Sequence, residues 1–149
     1  SKLVLWNTLH PLNTRAAFSY TLSTPIHVSG FNSYGGGYGT NGRVHPGNSF
    51  TGDVGLELSI NEPWVIALDL VYKFSKRTKF NGYPGTTTKG GSTLASVGGG
   101  YSDQLSLAPA LEYNWNDKMG MLGGFWLSVY GKNSPTFVSA ILSWYCYFP

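Results

Sequence analysis

Among the 149 residues, the side chains able to do acid–base, nucleophilic or metal chemistry are three histidines, one cysteine, seven carboxylates and the hydroxyls. His10, His27 and His45 fall in a turn, a strand-like run and a glycine-rich stretch, without the short repeated spacing of metal ligands. A single cysteine, Cys146, excludes an intrachain disulfide and a cysteine zinc site. Gly35-Gly36-Gly37-Tyr38-Gly39 has neither the strand-to-helix setting nor the Lys-Ser/Thr ending of a phosphate loop. No Gly-x-Ser-x-Gly elbow frames a serine nucleophile. The expectation is therefore no catalytic residue, no metal, no cofactor and no enzymatic activity.

The spacing of the charges says more. Arg15, Asp53, Glu57, Asp69, Lys73 and Glu112 each stand on the polar side of a segment that alternates with period two, the period of a strand. Between Arg15 and Ser29, residues Ala16, Phe18, Tyr20, Leu22, Ile26 and Val28 alternate with polar partners. Phe50 to Ile60 sets Val54, Leu56 and Leu58 against Asp53, Glu57 and Ser59, and Trp64 to Phe74 sets Ile66, Leu68 and Leu70 against Ala67, Asp69 and Lys73. The last third repeats the pattern three times, in 105–115, 119–130 and 138–148.

These segments are about ten to thirteen residues long, near the roughly nine to eleven that a tilted strand needs to cross a bilayer. Composition agrees: 42% hydrophobic and 15% aromatic against 11% charged, with no apolar run long enough for a membrane-spanning helix. A net charge of +3 without a basic block argues against a nucleic-acid partner. The fold class expected is all-β, an antiparallel transmembrane β-barrel. Connections are short near 10–14, 61–63 and 116–118 and long at 30–49 and 75–102, the asymmetry of periplasmic turns and extracellular loops. About seven strands are visible. An odd count, with the first strand running inward, suggests the C-terminal part of a larger even-stranded barrel, with any export signal removed or outside the chain.

In such a barrel the polar side lines the lumen and the apolar side meets lipid, where a Lys or Arg at the midplane would cost roughly 2–4 kcal/mol. Arg15, Asp53, Glu57, Asp69, Lys73 and Glu112 are thus lumen-lining candidates, with Glu57 and Lys73 a candidate pair across the Asn61-Glu62-Pro63 turn. A pore-lining role and an ion-pair network that only fills a small barrel both stay open. Trp64, Tyr72, Tyr113, Trp115, Trp144 and Phe148 lie near segment ends and are candidates for interfacial aromatic girdles. Pro109 removes a ladder hydrogen bond from its strand and implies a bulge.

Ser106-Leu107-Ala108-Pro109-Ala110-Leu111-Glu112-Tyr113, Gly120-Met121-Leu122-Gly123-Gly124-Phe125-Trp126, Tyr130-Gly131-Lys132-Asn133-Ser134 and the aromatic ending at Phe148 together resemble the C-terminal hairpins of bacterial outer-membrane barrels. Those segments are most similar to the outer-membrane proteins grouped with the meta-pathway of phenol degradation. The resemblance covers about the last fifty residues well, and Phe50 to Phe74 more loosely. It implies an outer-membrane channel or transporter for small, hydrophobic or aromatic solutes, with the bilayer and the outer-membrane assembly machinery as partners. The alternative of another class is a soluble all-β module in which Phe31, Tyr34, Tyr38, Phe80 and Tyr83 stack on a carbohydrate. A surface adhesin or receptor acting through the long loops is a third. A soluble barrel would expose its polar face and normally carry more charge there.

Overall fold

The computed structural model describes residues 2–5, by their backbone, and residues 11–148. All of the regular structure described is β-strand: β1 Lys2–Leu5, β2 Leu12–Thr21, β3 Ile26–Ser29, β4 Asn41–His45, β5 Ser49–Ser59, β6 Trp64–Ser75, β7 Lys79–Tyr83, β8 Ser102–Asn116, β9 Met119–Lys132 and β10 Val138–Cys146. They divide between two compact units. His10 and the end of the first expected strand lie outside the described residues.

The first unit, Ser1–Ser19, Thr51–Lys73 and Asp103–Pro149, carries a seven-stranded antiparallel sheet in the order β1-β2-β5-β6-β8-β9-β10. Local chemistry closes its short turns. Asn61 Oδ1 accepts from the Trp64 amide at 3.0 Å while the Ile60 amide donates to the Trp64 carbonyl at 2.9 Å. At the next turn Asn116 Oδ1 accepts from the Lys118 amide at 2.9 Å. Asn serves here because its side chain reproduces a backbone turn bond.

This sheet is open and is not a closed barrel; the expectation is a seven-stranded part of a larger barrel, and of it the structure shows the all-β, antiparallel sheet. The physical reason is parity. In an antiparallel run of seven, the first and last strands point the same way, so β1 and β10 cannot close it through the antiparallel ladder that joins the others. A second difference lies between Arg15 and Ser29, expected as one strand. The ladder stops at Thr21, and Ile26 opens β3 in another sheet. Pro25 has no amide to donate, and the Ser23 amide turns instead to Asn48 Oδ1 at 3.0 Å.

The second unit, Tyr20–Phe50 and Phe74–Ser102, holds the residues expected as long loops. They are more ordered than that expectation: β3, β4 and β7 form a three-stranded antiparallel sheet. Its centre is the fully buried Val44, with Val28 beside it. Thr40, also buried, takes the Gly37 amide at 2.7 Å and donates to the Pro84 carbonyl at 2.7 Å.

Asn41 pairs with Tyr83 and His45 with Lys79, the Lys76 amide donates to the Asn48 carbonyl, and Ile60 meets Trp64 at the turn.

Pro109 stays inside β8 without the expected bulge. Leu107↔Leu127 and Ala110↔Gly124 keep one register across it, and the shifts fall at Leu105/Ser106 and Asn114/Asn116. Close approach explains the tolerance: a Cβ on Gly124 would lie 2.5 Å from the Pro109 carbonyl oxygen and 2.8 Å from Ala110 Cβ. A Cβ on neighbouring Gly123 would meet only Leu142, at 4.0 Å. Gly124→Val should therefore destabilise the β8–β9 ladder by about 1–3 kcal/mol, the usual cost of overpacking. Gly123→Val should leave the urea unfolding midpoint in detergent unchanged or raised; equal losses for both would refute the close-approach account.

Candidate functional site

The faces of the seven-stranded sheet are exposed in the reverse of the usual sense. Along β6, Trp64, Ile66, Leu68 and Leu70 are exposed, whereas Val65, Ala67, Asp69 and Val71 are half-buried. Along β5, Val54, Leu56 and Leu58 are exposed while Asp53 and Glu57 are half-buried and Gly55 is buried. Phe125 is 57% and Leu142 76% accessible. Among the described residues, the buried hydrophobics are Val28 and Val44, both in the second unit. Along β5 and β6 the apolar side is thus outward and the carboxylates Asp53, Glu57 and Asp69 are on the sheltered side, whereas β2 from Arg15 on and β10 up to Trp144 are exposed on both faces.

On that charged face Arg15 Nη2 lies 2.5 Å from Asp69 Oδ2. Gly55 makes the pairing possible, since a Cβ there would sit 2.5 Å from Arg15 Nε and 2.6 Å from Asp69 Oδ1. Asp53 and Glu57 flank Gly55 on the same face and, with Asn13, Arg15 and Ala17, line a recess of about 490 Å³. One guanidinium therefore faces three carboxylates, and the patch is net anionic. Four of the six lumen-lining candidates, Arg15, Asp53, Glu57 and Asp69, come together in this way.

The other two stand apart from that cluster. The expected Glu57–Lys73 pair does not form: counted from the Asn61 turn, Glu57 lies opposite Ala67 and Lys73 opposite Thr51. Lys73 Nζ sits 5.9 Å from the ring centre of Trp126 instead, at cation–π range. Trp126 is fixed by its Nε1–H donating to Ser106 Oγ at 3.0 Å and by Phe137 edge-on at 5.0 Å. Glu112 Oε1 is 3.0 Å from the Tyr145 hydroxyl, which also contacts Asn114 Oδ1. Trp126, Ser106 and Tyr145 were not singled out from the sequence; their polar-side parity is the signal that could have found them.

Of the aromatic candidates, Trp64 and Tyr113 meet at 4.7 Å and Tyr113 and Trp115 at 5.5 Å, both near edge-to-face. This ladder borders the turns at Asn61 and Asn116. Trp144 pairs with Met121 across the β9–β10 ladder, and exposed Phe148 follows the end of β10. Tyr72 lies toward the opposite end of β6 and does not join them. Among the described residues no three His, Cys, Asp or Glu side chains converge to hold a metal ion.

No family model matches the chain, and no curated protein or solved structure is significantly similar to it.

The Arg15–Asp69 pair is partly solvated, so a double-mutant cycle of Arg15→Met with Asp69→Asn should return a coupling of about 0.5–1 kcal/mol. Arg15→Met alone should cost more than Asp69→Asn alone, because it leaves three carboxylates unopposed. The reverse order in unfolding free energies would show that the carboxylates do not depend on Arg15.

Proposed function

We propose that the chain forms part of an outer-membrane β-barrel channel or transporter for small solutes, its apolar face against lipid and its charged face toward a passage. The reversed exposure of the seven-stranded sheet is the observation that carries this reading. A soluble sheet turns Leu56, Leu68, Phe125 and Leu142 inward; here they face out while Asp53, Glu57 and Asp69 are sheltered. Open edges at β1 and β10 call for further strands to complete the wall, since a bilayer tolerates no unpaired strand edge. The Trp64–Tyr113–Trp115 ladder suits the headgroup level of one interface. The resemblance of 106–134 and of the aromatic ending to outer-membrane hairpins points the same way, including a hydrophobic or aromatic solute and recognition of the last strand by the assembly machinery. The excess of carboxylates around Arg15 favours cations over anions within the passage.

Two measurements test the reading. In native membranes the chain should resist alkaline extraction, and its folded form should run differently on gels with and without boiling; a monodisperse, detergent-free protein with no mobility shift would end it. In reconstituted bilayers Leu68→Lys should destabilise by about 2–4 kcal/mol, the cost of a Lys at the lipid midplane, and Ala67→Lys by clearly less. Asp53→Asn with Glu57→Gln should lower the potassium-to-chloride permeability ratio in planar bilayers; an unchanged ratio would remove these residues from the conduction path.

A further inference from the structure

Charge is divided unevenly between the two units. Residues 20–50 and 74–102 contain Arg43, Lys76, Arg77, Lys79 and Lys89, half of the Lys and Arg of the chain, and none of its seven carboxylates. No cation in this unit can therefore find an anionic side chain within it. The strand pairing then gathers them. On the three-stranded sheet Arg43 pairs with His27 on one side and Asn81 on the other, and His45 pairs with Lys79. By alternation all of these project from the face opposite buried Val44. Next to them His45, Lys76, Arg77 and Lys79, with Asn48 and Asn81, line a recess of about 360 Å³. Arg43, Lys76, Arg77 and Lys79 are exposed, so their charge is available to a ligand.

We propose that this recess and the adjoining cationic face bind the phosphate groups of an anionic membrane glycolipid. The phosphate follows from the charge: cations gathered without a counter-ion, with amide and imidazole donors between them, suit a multiply charged oxyanion. The lipid source rests on the membrane reading given above. The membrane reading places the long connections 30–49 and 75–102, which belong to this unit, at the outer leaflet. Exposed Phe31, Tyr38 and Tyr83 in the same unit add the aromatic surface that such a boundary favours.

The test is made on the whole protein in neutral detergent micelles, so that it reads binding whether or not the sheet spans a bilayer. Lipid A, its dephosphorylated form and inorganic pyrophosphate are titrated against the parent chain, the Arg77→Gln/Lys79→Gln double variant and Lys118→Gln, which lies on a turn of the other unit. Each cation near an anionic lipid surface contributes about five-fold in affinity, so the double variant should bind lipid A roughly twenty-fold more weakly. Lys118→Gln should be unchanged, dephosphorylated lipid should bind poorly, and added salt should weaken the parent more than the double variant. Equal affinity for the dephosphorylated lipid, or an unchanged double variant, would overturn the proposal. Pyrophosphate binding as tightly as lipid A would overturn the lipid assignment and leave a free-anion site. A chain that fails alkaline extraction but binds lipid A in this pattern would refute the channel and retain the phosphate site.

Discussion

An apolar sheet face must leave water, and everything else in the first unit is arranged around that requirement. Covering one exposed Leu or Phe is worth about 1.5–3 kcal/mol. Leu56, Leu68, Phe125 and Leu142 are only partly exposed, so covering a half-dozen such side chains yields a fraction of that each, still a large share of the about 5–15 kcal/mol stability of an ordinary domain. The chain does not meet the requirement by folding the sheet onto a core of its own: the buried hydrophobics described are two valines of the other unit. The cover has to come from outside the sheet, and on the membrane reading proposed above a bilayer would supply it without any specific partner surface.

The same constraint governs the other face. Side chains there are held by pairwise contacts between strands rather than by a packed interior. Arg15 reaches Asp69 past a glycine, Lys73 lies over a tryptophan, and Tyr145 bridges Glu112 and Asn114. These contacts join β2 to β6, β6 to β9 and β8 to β10, each skipping a strand, so they brace the wall across its ladder as well as carrying charge. Small residues at Gly55 and Gly124 matter for this reason. They let long side chains or neighbouring backbones pass where a Cβ would stand.

Much of the first unit was legible in the sequence because its period-two signal is strong: large aliphatics on one parity and charges or small residues on the other, punctuated by Asn-rich turns. Hence the strands around Asp53, Asp69 and Glu112 and the shared face of Arg15, Asp53, Glu57 and Asp69 could be placed before any coordinates. Pairing was harder. Glu57 and Lys73 share a face, but only the hairpin count shows that they are not opposite one another. The second unit escaped notice for a different reason. In Asn41–His45 and Lys79–Tyr83 the inward parity is occupied by Gly42, Val44, Phe80 and Gly82, and two glycines erase the apolar half of the alternation. A strand whose hidden side is glycine reads as a loop. The odd count of seven strands was legible too, since each carries its own alternation, and an antiparallel run of seven does not close on itself through the same ladder.

The count of residues between β4 and the contact of Asn48 with Lys76 gives the second unit an unusual sensitivity to changes in length. A residue inserted at Pro46 or Gly47 would leave Asn48 against Lys76 but move β4 one step against β7, putting His45 in place of Val44 at the buried position. A matching insertion near Arg77 would restore the count. Variation in this segment is therefore confined to balanced additions or losses on its two arms, and the paired arms behave as one ruled scale whose zero is the contact of Asn48 with Lys76.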